Sequence, residues 1–233
     1  MRSVGLEVTQ TAVRIVELER TPEGIRLTSA LTVPSTAFAE GGWSGGPEAQ
    51  AQAVAELDEA LSRYEQAGLA VRGGVTGCTG RDLMLRYLDV PDDDDTRQRL
   101  IVKLEVDEML EQAEEDLTHD FTVLFNPEAS AQTAVIALAK DSAIQRLVDR
   151  LSALKLAPQR VMPSCLALYH AFVLGGESKD GETLLLTSIG FDETEICLVR
   201  DGSLLFARNM NVGLKSFAEV VAAEKGLDLE KAY

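Results

Sequence analysis

Histidine is almost missing from this chain. Only His119 and His170 occur, far apart, and a lone histidine is more often structural than catalytic. Two histidines assemble no Ser/His/Asp or Cys/His set, so no catalytic residue is assigned. Cysteine is nearly as scarce. Cys78, Cys165 and Cys197 are odd in number, widely spaced and set among apolar residues, the pattern of buried free thiols in a reducing compartment. No Cys/His cluster has metal-ligand spacing, and no metal site is assigned. Long apolar runs are absent as well. Nothing approaches the roughly 18 apolar residues that span a bilayer. The opening MRSVGLEVTQ carries Glu7 where a signal peptide needs its apolar centre. Positive charge is in deficit: 22 Lys and Arg stand against 38 Asp and Glu, a formal net charge of −16. Such a field repels phosphate backbones and anionic lipid, so nucleic acid and direct membrane insertion are not expected. Basic peptides or basic partner domains are.

What is present is an ordinary folded composition, 45% hydrophobic and 26% charged over 233 residues, enough for one large domain or two lobes. Three strands open the chain: SVGLEV (3–8), TAVRIVELE (11–19) and IRLTSALTV (25–33). A short turn and Pro22-Glu23-Gly24 separate them, which predicts a meander. EGGWSGG (40–46) reads as a loop. A helix is expected from about Pro47 to Gln66, closed by Gly68. VRGGVTGCTG (71–80) is a strand running into a turn, and RDLMLRYLDVP (81–91) is another strand. GVTGCTGRD (74–82) has glycines but lacks the Gly-Lys-Ser/Thr ending of a phosphate loop, so a strand-end turn is expected. The run of aspartates at 92–95 is read as the capped start of a helix. FTVLF (121–125) and TAVIALA (133–139) are strands joined near Asn126-Pro127. DSAIQRLVDRLSALKL (141–156) is an amphipathic helix with Asp141 as its expected cap and an apolar side that belongs to the core. Glu105 and Asp107, two apart on a helix, do not face each other and make no acid/base pair. A short strand QRVMP (159–163), an apolar helix Ser164 to Leu174 and the linker GGESKDG (175–181) follow.

The opening pattern then returns. TLLLTSIG (183–190), ETEICLVRD (193–201) and SLLFARNM (203–210) form a second meander, with a helix from about Leu214 to Lys225. Leu214, Phe217, Val220 and Val221 are expected to cover one face of it only, leaving the other exposed, docked on the first lobe or used for self-association. Placing Thr9 on Gly190 puts Glu7 on Ser188 and Ile15 on Ile196, the trace of a duplicated unit. Two related α/β lobes with a cleft between them are expected.

In VGLEVTQTAVRIVEL, in MLRYLDVP with its acidic helix, in AVIALAKDSAIQRLVDRLSALKLAPQRVMPSCLALYHAF and in LLLTSIGFDETEICLVRDGSLLFARNMNVGLKSFAEVVA, taken in that order, the chain resembles the PilM family of type IV pilus assembly proteins. The cytoplasmic part of GspL, from type II secretion, is a similar relative. The resemblance implies an α/β fold of the actin-like (ribonuclease H-like) kind: duplicated βββαβα lobes with an inserted small α/β subdomain and an incomplete second lobe. It divides the chain into a first lobe at 1–80 plus 159–175, an inserted subdomain at 81–158 and the start of a second lobe at 181–233.

In that superfamily each lobe lends a β-hairpin to one bound ATP with magnesium. The resemblance therefore marks Glu7, Thr9, Thr11, Ser188, Gly190 and Asp192 as lining a nucleotide cleft, but a degenerate one. Glu7 and Thr9 stand where the family has Asp and Gly. Ser188 stands where the second hairpin has Asp. Asp192 and Glu193 replace small hydroxyl residues, and a like-charge pair at 4 Å costs about 4 kcal/mol at an effective dielectric near 20. The chain also ends before the adenine-side glycine motif of such proteins. The expectation is therefore no cofactor and no enzyme. By resemblance the chain is a cytoplasmic scaffold, peripheral to the inner membrane through a protein partner. It binds the N-terminal peptide of a PilN-like membrane protein and links it to a pilus or secretion motor ATPase, with self-association possible. An ATP-binding actin-like ATPase and an FtsA-like filament former are the alternatives.

Overall fold

Two hairpins closed by the same hydrogen bond set the architecture. In the computed structural model, which describes residues 2–9, 11–34, 47–66, 74–80, 82–124, 131–153 and 158–233, strands β1 (Arg2–Val8) and β2 (Ala12–Thr21) pair antiparallel with Val8 opposite Val13. The Thr9 N–H donates to the Ala12 carbonyl at 2.9 Å. In the second meander, β9 (Thr183–Ile189) and β10 (Thr194–Arg200) pair in the same sense, and the Gly190 N–H donates to the Glu193 carbonyl at 2.8 Å. The third strands, β3 (Gly24–Pro34) and β11 (Ser203–Met210), each pair with the second through one register shift, at Glu17/Leu18 and at Leu198/Val199. Those shifts fall at equivalent positions when Thr9 is placed on Gly190. A bulge re-aims a strand and adds twist, so the duplication extends to the irregularity of each sheet.

The first meander is the start of a five-stranded sheet ordered β3-β2-β1-β4-β8. The short strands β4 (Val75–Cys78) and β8 (Arg160–Pro163) join it in parallel. The alternation of β1 and β2 turns Val4, Leu6, Val13 and Ile15 to one side. There they meet Ala60, Leu61 and Tyr64 of α1 (Pro47–Gln66). Glu17 is buried in the same layer, where it accepts hydrogen bonds from Tyr64 Oη at 3.1 Å and Thr28 Oγ1 at 3.0 Å, with Arg2 at 3.3 Å. A buried carboxylate is tolerable only when paired in this way.

Between β4 and β8 the chain makes a second, three-stranded sheet ordered β5-β7-β6 from β5 (Leu83–Pro91), β6 (Leu117–Leu124) and β7 (Ala131–Lys140). Helix α2 (Asp95–Glu111) covers one face, burying Val102 and Val106 against Val90, Ala134, Ile136 and Leu138. The aspartate run does cap it: Asp94 is the N-cap and its side chain accepts from the Arg97 N–H at 2.9 Å. Helix α3 (Asp141–Ala153) leaves this sheet and puts Leu147 and Leu151 into the core between the five-stranded sheet and α1. Asp141 is its first helical residue, and its carboxylate takes the Thr118 hydroxyl rather than a backbone N–H of the first turn.

The third sheet is the second meander, ordered β11-β10-β9. Cys197, Val199, Leu204 and Ala207 face α4 (Ser164–Gly175), where Cys165, Leu168, Tyr169 and Phe172 meet them. Leu85 and Leu124 of the insert join the same cluster. Tyr87 of β5 docks on β11: its hydroxyl donates to the Ala207 carbonyl at 2.7 Å, accepts from the Ala207 N–H at 2.5 Å, and its ring stacks on Phe206. Insert, α4 and second meander therefore share one core. The expected cover of that meander by Leu214, Phe217, Val220 and Val221 is corrected. Helix α5 (Leu214–Lys225) buries only Ala218 and packs on the short α6 (Leu229–Ala232), while Phe217 is 65% exposed. Its first N–H groups are held by the hairpin tip, from Leu214 to the Gly190 carbonyl at 3.0 Å and from Lys215 to the Phe191 carbonyl at 2.8 Å. The expected loop at 40–46, the stop at Gly68 and the turn near Asn126-Pro127 lie outside the described residues.

Candidate functional site

The two hairpin tips, the end of β4 and the start of α4 meet at one place. Close approach of backbone fixes the meeting. A Cβ on Gly77 of β4 would stand 2.5 Å from Ser164 Oγ, and one on Gly213 would stand 2.3 Å from the Phe191 carbonyl oxygen. At Gly213 the obstacle is backbone and little beyond glycine fits, whereas at Gly77 the Ser164 hydroxyl would have to turn away. Ser164 Oγ donates to the Cys78 carbonyl at 3.3 Å and lies close enough to Glu195 to favour its charged form.

The first hairpin closes on its own hydroxyls. Thr9 Oγ1 accepts from the Ala12 N–H at 3.0 Å and lies 3.0 Å from the Ala12 carbonyl and 3.4 Å from Thr11 Oγ1. Glu7 is paired with Arg14 at 2.6 Å and looks across to Glu195, whose proton affinity its charge raises. In the second hairpin, Gly190 is held in the tip and Phe191 is buried edge-on against Tyr233, with ring centroids 5.0 Å apart. Asp192 turns toward α5, with Lys215 4.0 Å away and Glu219 beyond. Ser188 lies opposite Glu195 in the ladder. The marked residues are thus split. Glu7 and the Ser188–Glu195 pair face each other, Thr9 and Thr11 turn inward on their own tip, and Asp192 belongs to the α5 junction.

The residues that define the centre include three not marked from the sequence: Thr79, Gly80 and Glu195. Glu193 Oε1 accepts from Thr79 Oγ1 at 3.2 Å and lies against the Gly80 backbone. Glu195 is pushed up to about 7, mostly by burial, then by the charges of Glu7 and Glu193, against the nearby Ser164 hydroxyl. Asp192 and Glu193 are raised too, burial again leading. A signal for Glu195 was available: it precedes Cys197 and Val199 on the inward face of an alternating strand, where a carboxylate is out of place. Thr79 and Gly80 carried no such signal. With four carboxylates in and around it, the site attracts cations and repels anions. Among the described residues no group of three or more His, Cys, Asp or Glu is placed to hold a metal, and no helix is long and apolar enough to cross a membrane.

A family model described as "Type IV pilus assembly protein PilM" matches residues 5–233. The chain belongs to the PilM family. A solved PilM–PilN type IV pilus biogenesis complex contains a chain of the same fold, with a TM-score of 0.76 and 22% identity over 99% of this chain and 67% of that one. The cytoplasmic domain of EpsL, an inner-membrane component of the type II secretion system of Vibrio cholerae, matches at a TM-score of 0.51 and 16% identity, covering 95% of this chain and 75% of that one. The ethanolamine utilization protein EutJ from Carboxydothermus hydrogenoformans matches at 0.54 and 12% identity over 100% of this chain and 59% of that one. The fold of this PilM-family chain is that of the actin-like proteins. No curated protein sequence matches it directly.

Proposed function

We propose that this PilM-family chain is a non-catalytic scaffold of a type IV pilus or type II secretion platform. It binds the cytoplasmic N-terminus of a PilN-like membrane protein, which holds it at the inner membrane, and relays to a motor ATPase. The observation that carries the reading is the likeness to the PilM–PilN complex over 99% of the chain. The cleft supports it. ATP with magnesium does not fit these residues: Thr9 Oγ1 is engaged in its own turn, and Glu7, Asp192, Glu193 and Glu195 set negative charge where phosphates would lie. The division into a first lobe (1–80 plus 159–175), an insert (81–158) and a second lobe (181–233) belongs to the same proposal, with the insert as the main partner surface. Exposed Leu100 and Leu104 on α2, among Asp107, Glu108 and Glu111, suit a basic amphipathic peptide.

Calorimetry on the intact chain tests this. A basic peptide copying the partner's cytoplasmic N-terminus should bind saturably, more weakly as salt rises, and should slow amide exchange within 83–124. Magnesium-ATP should give no saturable heat. ATP binding tighter than about 100 μM would refute the non-catalytic reading, and a peptide that leaves 83–124 unprotected would refute the insert as its surface.

A further inference from the structure

The contact between Glu193 and the end of β4 spans the cleft. Glu193 immediately precedes β10 in the second meander, and Thr79 and Gly80 immediately follow β4 in the first sheet, so this bond joins the two across 114 residues of sequence. The receiving end is shaped for an oxyanion. It presents a hydroxyl donor from Thr79, with the backbone of Gly80 beside it, whose φ of +93° is open to glycine and strained for other residues. The carboxylate lies so close that a Cβ on Gly80 would stand 3.1 Å from Glu193 Oε1. A larger residue there would push it off.

The same carboxylate is held poorly in other respects. Its Oε2 is buried with no hydrogen-bond partner among the described residues. Asp192 beside it and Glu195, two residues on along β10, carry like charge, and Glu7 faces Glu195 from β1. Among the described residues, Arg14 is paired with Glu7 and Lys215 lies 4.0 Å from Asp192. A contact with one hydroxyl donor on one oxygen, none on the other and like charges around it holds without holding tightly. It differs from the Tyr87 anchor, where two hydrogen bonds and a stacked ring fix the insert to the second meander.

We infer that Glu193 is an internal latch: its carboxylate sits against the Thr79–Gly80 turn as a built-in anion and holds the second hairpin tip to the end of β4, and its release lets that tip part from β4 while α4 and Tyr87 keep the second meander docked. The latch rests on the reading of the cleft as one that takes no nucleotide.

Its test is amide exchange on the full chain without peptide or nucleotide. Glu193→Ala and Thr79→Val remove the contact from opposite lobes, and both lie outside the three hydrophobic cores, so folding is checked by circular dichroism in each. Each variant should exchange the Gly80 amide about tenfold faster, together with amides across the cleft at 190–195. The double variant should add little, because both changes break one contact. Unchanged exchange at Gly80 in Glu193→Ala, an effect confined to the mutated lobe, or fully additive effects in the double variant would each overturn the latch. A failed latch leaves the peptide titration untouched, and a failed titration leaves the exchange result standing.

Discussion

The first and second meanders are the same unit built into different surroundings. Both have a tip closed by an N–H to carbonyl bond and a bulge at the equivalent place. In the first, the face bearing Val4 and Ile15 is sealed by α1 and α3. In the second, the equivalent face carries Leu185, 64% exposed, and the buried side is the opposite one, against α4 and the insert. A strand's alternation offers two faces and does not say which will be covered. The covering elements decide that. Duplication of a local pattern therefore predicts a shared backbone and not a shared core.

The largest test of this contrast is truncation at comparable faces. Ile15→Ala empties a fully buried site and should lower unfolding free energy by about 3 kcal/mol, while Leu185→Ala should stay within about 0.5 kcal/mol. Urea unfolding measures both, and equal losses would mean that the two faces are equally covered. A smaller effect separates the two tyrosines. Tyr87→Phe leaves the buried Ala207 N–H and carbonyl without their hydroxyl partner and should lose about 2 kcal/mol. Tyr64→Phe leaves Glu17 with Thr28 and Arg2 and should lose about 1 kcal/mol. The reverse order would place the stronger joint in the first lobe.

The smallest effect is a pH dependence confined to the cleft. Glu195 is raised from 4.5 to about 7, with Glu7 on β1, Glu193 on its own strand, Ser164 on α4 and the neutral Cys197 thiol around it. Its folded-state affinity for a proton exceeds that of the unfolded chain. The stabilisation is complete below pH 4.5 and is lost as pH rises through about 7. Asp192 and Glu193, shifted the same way, add to it. Glu19, lowered chiefly by Arg26, and Asp93, lowered first by the Asp94 backbone N–H and then by Arg97, act with the opposite sign, at lower pH. Glu195→Gln should flatten the urea midpoint between pH 5 and 7 by an amount on the order of 1 kcal/mol for a partly wet site. An unchanged slope would put Glu195 in water rather than in the cleft.

Much of this was legible in one dimension. Strand alternation, the proline at the start of α1 and the aspartate cap of α2 are short-range chemistry, and they set element type, order and most boundaries. The repeat was legible because equivalent residues recur in the same order. Asp192 and Glu193 stood out in the sequence as carboxylates at the tip of the second hairpin. Their separate partners, Lys215 for one and Thr79 for the other, lie 23 and 114 residues away in sequence, and no local pattern couples them. The fate of α5 was hidden for the same reason. Its apolar spacing gives a helix with a buried side in mind, but the Gly190 and Phe191 carbonyls tie its first turn to the hairpin tip and leave Phe217 and Val220 in water.

By itself the sequence determined the strands, the helices, the duplicated hairpins and the excess of negative charge, because each follows from neighbours within a few residues or from composition. Only the tertiary structure decided which face of each meander is buried, that the insert is pinned to β11 through Tyr87, and that Glu193 lies in the Thr79–Gly80 cradle. Those outcomes depend on backbones far apart in the chain approaching within hydrogen-bond distance, and that approach is set by the packing of whole layers.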